Sequence, residues 1–147
     1  MTDIAGTGGY PVGRGGRWLL LGWSLFLLGG FGLAFSLTPD PKGWGTHQRL
    51  GLPPCSFRAM LGIPCPACGM TTSFSYLAHG NPAAALRANP GGVLLALICA
   101  VQVPWCWLSA IKGRLAGIAD PAKCLVWVII AIAAVCLVNW GFRLIQG

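Results

Sequence analysis

From Trp18 to Leu37 the chain carries no charged side chain, and the same holds from Gly92 to Ile111. A third apolar run, Leu125 to Ile145, holds only Arg143 near its end. Each run is close to the 20 or so residues that a helix needs to cross the hydrocarbon core of a bilayer. Inside that core every backbone N–H and C=O must be satisfied within the segment, so the runs read as helices. With 55% apolar and 9% charged residues, the chain has too few charges to cover a water-soluble globule. The expected fold is therefore all-α: an integral membrane protein with three spans, about 18–37, 92–111 and 125–145.

The first run also ends on Ala34-Phe35-Ser36, small residues at the two positions a signal peptidase reads. Its length exceeds a usual signal h-region, and a Gly-rich tail, residues 1–17, precedes it, so a retained anchor is expected. The domain plan is then that tail followed by one membrane domain, 18–147, with a long connection, 38–91, between the first and second spans. Small residues such as Gly29, Gly30, Ala34, Ala131 and Ala134 predict close helix approach, within the chain, with a second copy or with another membrane protein. Gln102 and Asn139 read as interhelical hydrogen-bonding groups. A transport path would normally need buried charges, and the spans offer none.

The formal charge of +7 comes from ten Lys and Arg against three acidic residues, all of them Asp. The cations are scattered singly along the membrane flanks and form no stripe, which argues against nucleic acid and for lipid headgroups. Arg14, Arg17, Lys112, Arg114 and Lys123 flank one face of the membrane, and Lys42, Arg49, Arg58, Arg87 and Arg143 the other. The two sets are equal in number. The short link between the second and third spans is the denser, which favours a cytoplasmic N-terminus in a multi-pass cell (inner) membrane protein. The groups able to do acid–base work are Asp3, Asp40, Asp120, His47 and His79, with no two close in sequence, so a hydrolase is poorly supported.

The connection is punctuated by turn formers. Pro53 and Pro54 suit the start of a short helix reaching about Leu61, ended by Gly62 and Pro64. Met70, Phe74 and Leu77 then share one helical face over 70–79, with Thr71, Thr72, Ser73 and Ser75 around the rest. That pattern predicts an interfacial helix with its apolar face toward lipid or the spans. Asn81-Pro82 and Asn89-Pro90 each place a capping side chain before a proline suited to a first helical turn.

Seven cysteines fall into two sets. Cys99, Cys106, Cys124 and Cys136 lie in or at the edge of apolar spans, where cysteine acts as a small hydrophobe. Cys55, Cys65 and Cys68 sit among turn residues in the order C-x9-C-x2-C. Three readings stay open for this trio. A structural zinc wants four ligands, and Cys55, Cys65, Cys68 and His79 could supply them if the intervening helix folds back. A C-x-x-C pair at a helix N-terminus could instead exchange disulfides, with Cys65 and Cys68 as the reactive pair and Cys55 as a resolving thiol. The third reading is a purely structural bend or bridge. Covalent haem is disfavoured, because Gly69 stands where that motif needs His.

The segment from Cys55 through Gly62-Ile63-Pro64-Cys65-Pro66, Cys68-Gly69, Thr71 and Gly80 to Asn89-Pro90 resembles a family of small bacterial membrane proteins, the domain of unknown function 2752 family. Thr72 stands where Arg is expected in many members, so any anion contact made by that Arg would be missing here. The resemblance implies a multi-pass membrane protein with the three-cysteine core as its signature, and it implies no activity. The function expected from the sequence is a scaffold or interaction protein whose cysteine core is a structural staple, with zinc as the candidate ion. The alternative is a thiol–disulfide oxidoreductase at the membrane face.

Overall fold

A computed structural model describes residues 9–146. Among the described residues six α-helices follow one another: α1 Arg14–Ser36, α2 Ser56–Leu61, α3 Met70–Ala78, α4 Pro82–Ala88, α5 Pro90–Lys112 and α6 Pro121–Gln146, with a 3-10 turn at Thr46–Leu50. Three of them, α1, α5 and α6, are long and apolar enough to cross a membrane. The expected all-α membrane architecture is what the chain adopts, and four short helical pieces make up the connection between the first and second spans.

The helix ends follow local chemistry. Asn81 accepts a hydrogen bond from the N–H of Ala84, and Asn89 from that of Gly92, each at 3.1 Å, ahead of a proline that fits the first turn. Asp120 repeats the device before Pro121, accepting from the N–H of Lys123 at 3.2 Å. Gly62 and Gly113 terminate α2 and α5 in the left-handed conformation. Pro53 and Pro54 stand outside α2, which starts at Ser56 after Cys55. At the far end, Tyr10 and Val12 bond to the link between α5 and α6, through Tyr10 N–H to Ile118 C=O at 3.0 Å and Val12 N–H to Gly113 C=O at 2.9 Å. The inner end of the Gly-rich tail is thus tied to the fold, and its residues 1–8 lie outside the described residues.

Packing is uneven. α1 and α6 each lie along α5, and α3 is wedged between α1, α4 and the start of α5. Within the most apolar window of α6 only 6% of residues are buried in the chain, against 22% for α5. That surface needs lipid or another helix to cover it. Close approach occurs at glycines other than the expected ones. A Cβ on Gly91 would run into the Cys136 sulfur of α6, and one on Gly92 would lie 3.1 Å from the Met70 Cα of α3. Gly29 and Gly30 have open space at their Cα hydrogens, and Ala131 and Ala134 are exposed, so of the small residues proposed for helix contact only Ala34 is buried within the chain. One polar link between spans is made by Trp107, whose indole N–H donates to the buried Ser24 hydroxyl at 2.9 Å.

Candidate functional site

Two left-handed glycines frame the thiol loop. Gly62 (φ +70°) ends α2 and Gly69 (φ +87°) opens α3, so the chain reverses twice within residues 62–69. Between them the N–H of Cys68 bonds to the Cys65 carbonyl at 3.0 Å and that of Met70 to the Ala67 carbonyl at 3.1 Å. This double turn puts the Cys65 and Cys68 sulfurs 3.2 Å apart. Cys55, at the N-cap position of α2, brings in a third sulfur, and the three lie within 4.8 Å of one another. Residues separated by nine positions in the chain therefore converge.

The loop is clamped from outside through its carbonyls. The Pro64 carbonyl accepts from the Trp140 indole at 2.6 Å. Asn89 Nδ2 donates to the carbonyls of Pro66 at 3.3 Å and Cys68 at 3.1 Å. Arg143 donates to the Cys68 carbonyl at 3.4 Å, to the Arg87 carbonyl at 3.2 Å and to the Ala88 carbonyl. In this way the C-terminal end of α6 and the first residues of α5 hold the loop against α4. Trp140 and Arg143 are spaced i, i+3 and so share a helix face. That spacing, beside the single charge of the third run, was the available sequence signal, and reading Arg143 only as a flanking charge missed it.

Helix α3 turns its hydroxyls inward. Thr72, Ser73 and Ser75 are fully buried. The Thr72 hydroxyl meets that of Thr46 at 2.8 Å, Ser73 donates to the carbonyls of Ala85 and Asn89 at 3.0 Å each, and Ser75 to the Leu37 carbonyl. Ser75 reaches the Leu37 carbonyl at the open end of α1, whereas the Ala85 and Asn89 carbonyls already accept the Asn89 and Val93 N–H groups and take the Ser73 hydroxyl on a second lone pair. Phe74 on the other face meets Phe31 of α1, with ring centroids 5.9 Å apart, as the apolar pattern implied.

The sulfurs face a cavity of about 210 Å³ whose walls include Trp44, His47, Gln48, Thr71 and Thr72. The Arg58 guanidinium lies over the Trp44 ring of this cavity at 3.8 Å from its centroid. The N–H of Arg58, at the start of α2, holds the Cys55 thiol below its ordinary pKa, with the Cys65 and Cys68 thiols and the Phe57 N–H adding to the effect. Burial pushes the Cys68 thiol up to about 12, reinforced by the neighbouring Cys65 thiol. The helix start that favours a thiolate is therefore that of α2, and the thiolate it favours belongs to Cys55 rather than to Cys68.

Of the expected site residues, Cys55, Cys65 and Cys68 are together and His79 is elsewhere. His79 follows the last turn of α3, about 13 Å by helical rise from Met70 at the start of the helix, next to the thiol loop. Its ring stacks on Phe35 at 5.1 Å, and its Nδ1 donates to the Ser75 carbonyl at 2.8 Å. The fold-back that a His79 ligand requires does not occur, because α3 runs straight and carries its C-terminus away from the loop. His47, weighed in the sequence only as an acid–base group, is the histidine that lines the same cavity as the thiols, though it lies outside their 4.8 Å set.

A family model described as "Protein of unknown function (DUF2752)" matches residues 55–103, from the first thiol of the cluster into α5. No curated protein matches the chain, and no solved structure does.

Proposed function

We propose, on the premise that residues 55–103 make this chain a member of the DUF2752 family, that it is a membrane scaffold or interaction protein stapled by a metal ion on its three thiols. The observation that carries this reading is the convergence of Cys55, Cys65 and Cys68 within 4.8 Å. Tetrahedral zinc with thiolates at about 2.3 Å requires sulfurs about 3.8 Å apart, a value between the 3.2 Å of the closest pair and the 4.8 Å limit. Thiolates suit zinc and other thiophilic ions. An ion there would join the start of α2 to the start of α3, two segments whose other connection is a short loop. The carbonyl clamps would then transmit that fixed geometry to α5 and α6. The exposed length of α6 is the surface through which a second copy or another membrane protein would associate.

Elemental analysis of the full-length protein, purified in detergent without chelator, tests the reading. One thiophilic metal per chain is expected in the wild type, and loss of it in the Cys65→Ser, Cys68→Ser double variant. A wild type with no stoichiometric metal overturns the staple.

A second reading is supported by the 3.2 Å approach of Cys65 and Cys68 beside the acidic Cys55 thiol. In thiol–disulfide exchange the Cys65 and Cys68 thiols would give up two electrons and two protons to the disulfide of a partner protein, which leaves as two thiols, with Cys55 resolving mixed disulfides. Acid trapping and alkylation in cells should then catch Cys65 and Cys68 in both redox states. Thiols found in one state under every growth condition exclude exchange.

We further place the N-terminus in the cytoplasm, on the charge density of the α5–α6 link, with the thiol cluster on the outer face. A membrane-impermeant maleimide that labels Cys55 in intact cells supports this placement. Labelling only after permeabilisation reverses it.

A further inference from the structure

We infer that His47 is the fourth ligand of the metal site, which makes it a Cys3His centre for zinc. The inference rests on the staple reading above and adds to it the residue that closes the coordination shell.

Three thiolates leave one position of a tetrahedral ion open, and structural zinc sites are closed by protein donors. The ligand must come from the walls of the cavity that the sulfurs face. Those walls offer four polar side chains: His47, Gln48, Thr71 and Thr72. The Thr72 hydroxyl is already engaged with Thr46. Zinc is held by thiolate, imidazole and carboxylate donors, so an imidazole nitrogen prevails over an amide or hydroxyl oxygen. His79, the other histidine of the chain, is held away from the thiols by Phe35 and Ser75.

The backbone around His47 suits the role. Its neighbour Thr46 is completely buried and hydrogen-bonded to Thr72 of α3, three residues after Gly69, so the 3-10 turn is pinned beside the thiol loop at that point. Gly45 (φ +92°) and Gly51 (φ +76°), both left-handed, bound the turn and let the chain fold back over the loop. The His47 side chain is half-buried and lines the same cavity, but its ring nitrogens lie outside the 4.8 Å set formed by the three sulfurs, so ligation requires a change of its side-chain rotamer toward them. Three thiolates, one neutral imidazole and a divalent cation sum to one negative charge. Arg58, stacked on Trp44 of the same cavity, carries the compensating positive charge.

Cobalt(II) substitution of the full-length protein in detergent tests the assignment, with zinc competition to measure affinity. Wild type should show thiolate-to-cobalt charge-transfer bands and the intense d–d absorption of a tetrahedral ion. His47→Ala should keep the charge transfer of three thiolates, lose or shift the d–d band and weaken zinc binding at least about 10-fold. His47→Cys should restore a tetrahedral spectrum with added charge transfer, and its retained binding guards against an unfolded His47→Ala. His79→Ala should match wild type. If His47→Ala and His47→Cys both match wild type, or His79→Ala alone loses the d–d band, the assignment of His47 is wrong while the three-thiol site stands. If wild type gives no thiolate charge transfer with cobalt and no zinc competition, the staple and the fourth ligand fall together.

Discussion

Asn89 joins Cys68 to the first turn of α5: its Nδ2 donates to the Cys68 carbonyl at 3.1 Å while its Oδ1 accepts from the Gly92 N–H at 3.1 Å. One fully buried amide therefore acts as the cap of a membrane span and as the clamp of the thiol loop. The position of the sulfurs is set by where α5 begins, and a change at the loop is felt at the membrane helix.

Asn89→Ala removes both roles. Loss of the cap costs about 1 kcal/mol, and loss of the clamp on buried carbonyls a further 1–3 kcal/mol or so. Asn89→Ser keeps a capping oxygen but cannot reach Pro66 and Cys68, so it should fall between wild type and Ala. Thermal unfolding in detergent measures the order. An Asn89→Ser variant as unstable as Asn89→Ala would show that the clamp, and not the cap, dominates.

Arg143→Lys is expected to behave almost as badly as Arg143→Ala. The guanidinium spans the carbonyls of Cys68, Arg87 and Ala88 at once, and a single ammonium cannot reproduce that fork. A loss of about 1.5–3 kcal/mol fits hydrogen bonds to a charged group. Trp140→Phe, which deletes only the bond to Pro64, should cost about 1 kcal/mol. Denaturant titration of the purified variants compares the three.

Gly69→Ala should be the most damaging single methyl group in the connection. The residue sits at φ +87°, and an added Cβ would stand 2.5 Å from the Ala88 carbonyl oxygen and 2.6 Å from that of Gly43. Backbone on two sides cannot yield, so the cost should exceed the 1–2 kcal/mol or so of a left-handed alanine alone. Loss of folded protein on size exclusion, or of metal binding in whatever folds, checks it. Gly62→Ala has open space at its Cβ and should pay only the conformational cost.

Thiol reactivity in metal-free protein should be graded by pH. The Cys55 pKa is lowered, so its thiolate fraction grows before that of Cys68 as pH rises, and iodoacetamide should modify it ahead of Cys68 near neutral pH. Cys68, raised to about 12, stays protonated across the same range. Because its folded pKa lies above that of an unfolded thiol, its contribution to stability is present below the unfolded value and is lost as pH climbs toward 12. Peptide mapping of alkylation against pH reads the order directly. Cys68 reacting ahead of Cys55 at pH 8 would contradict it.

Much of this architecture was readable from local chemistry alone. Charge-free runs of span length allow only helices in a bilayer, Asn-Pro pairs start helices, and glycine after an apolar turn ends them, so the spans and the α2 to α4 pieces could be placed to within a few residues and the two asparagine caps directly. The C-x9-C-x2-C spacing likewise marked the thiols. What depended on tertiary structure was which distant groups meet that loop. Trp140 and Arg143 reach its carbonyls from the end of α6, His47 lines its cavity from a 3-10 turn, and the hydroxyls of α3 turn inward to carbonyls of Leu37, Ala85 and Asn89. Spacing along a chain encodes the period of a helix and the sign of a turn. Which carbonyl lacks a partner, and which side chain is near enough to supply one, is decided only when the helices pack.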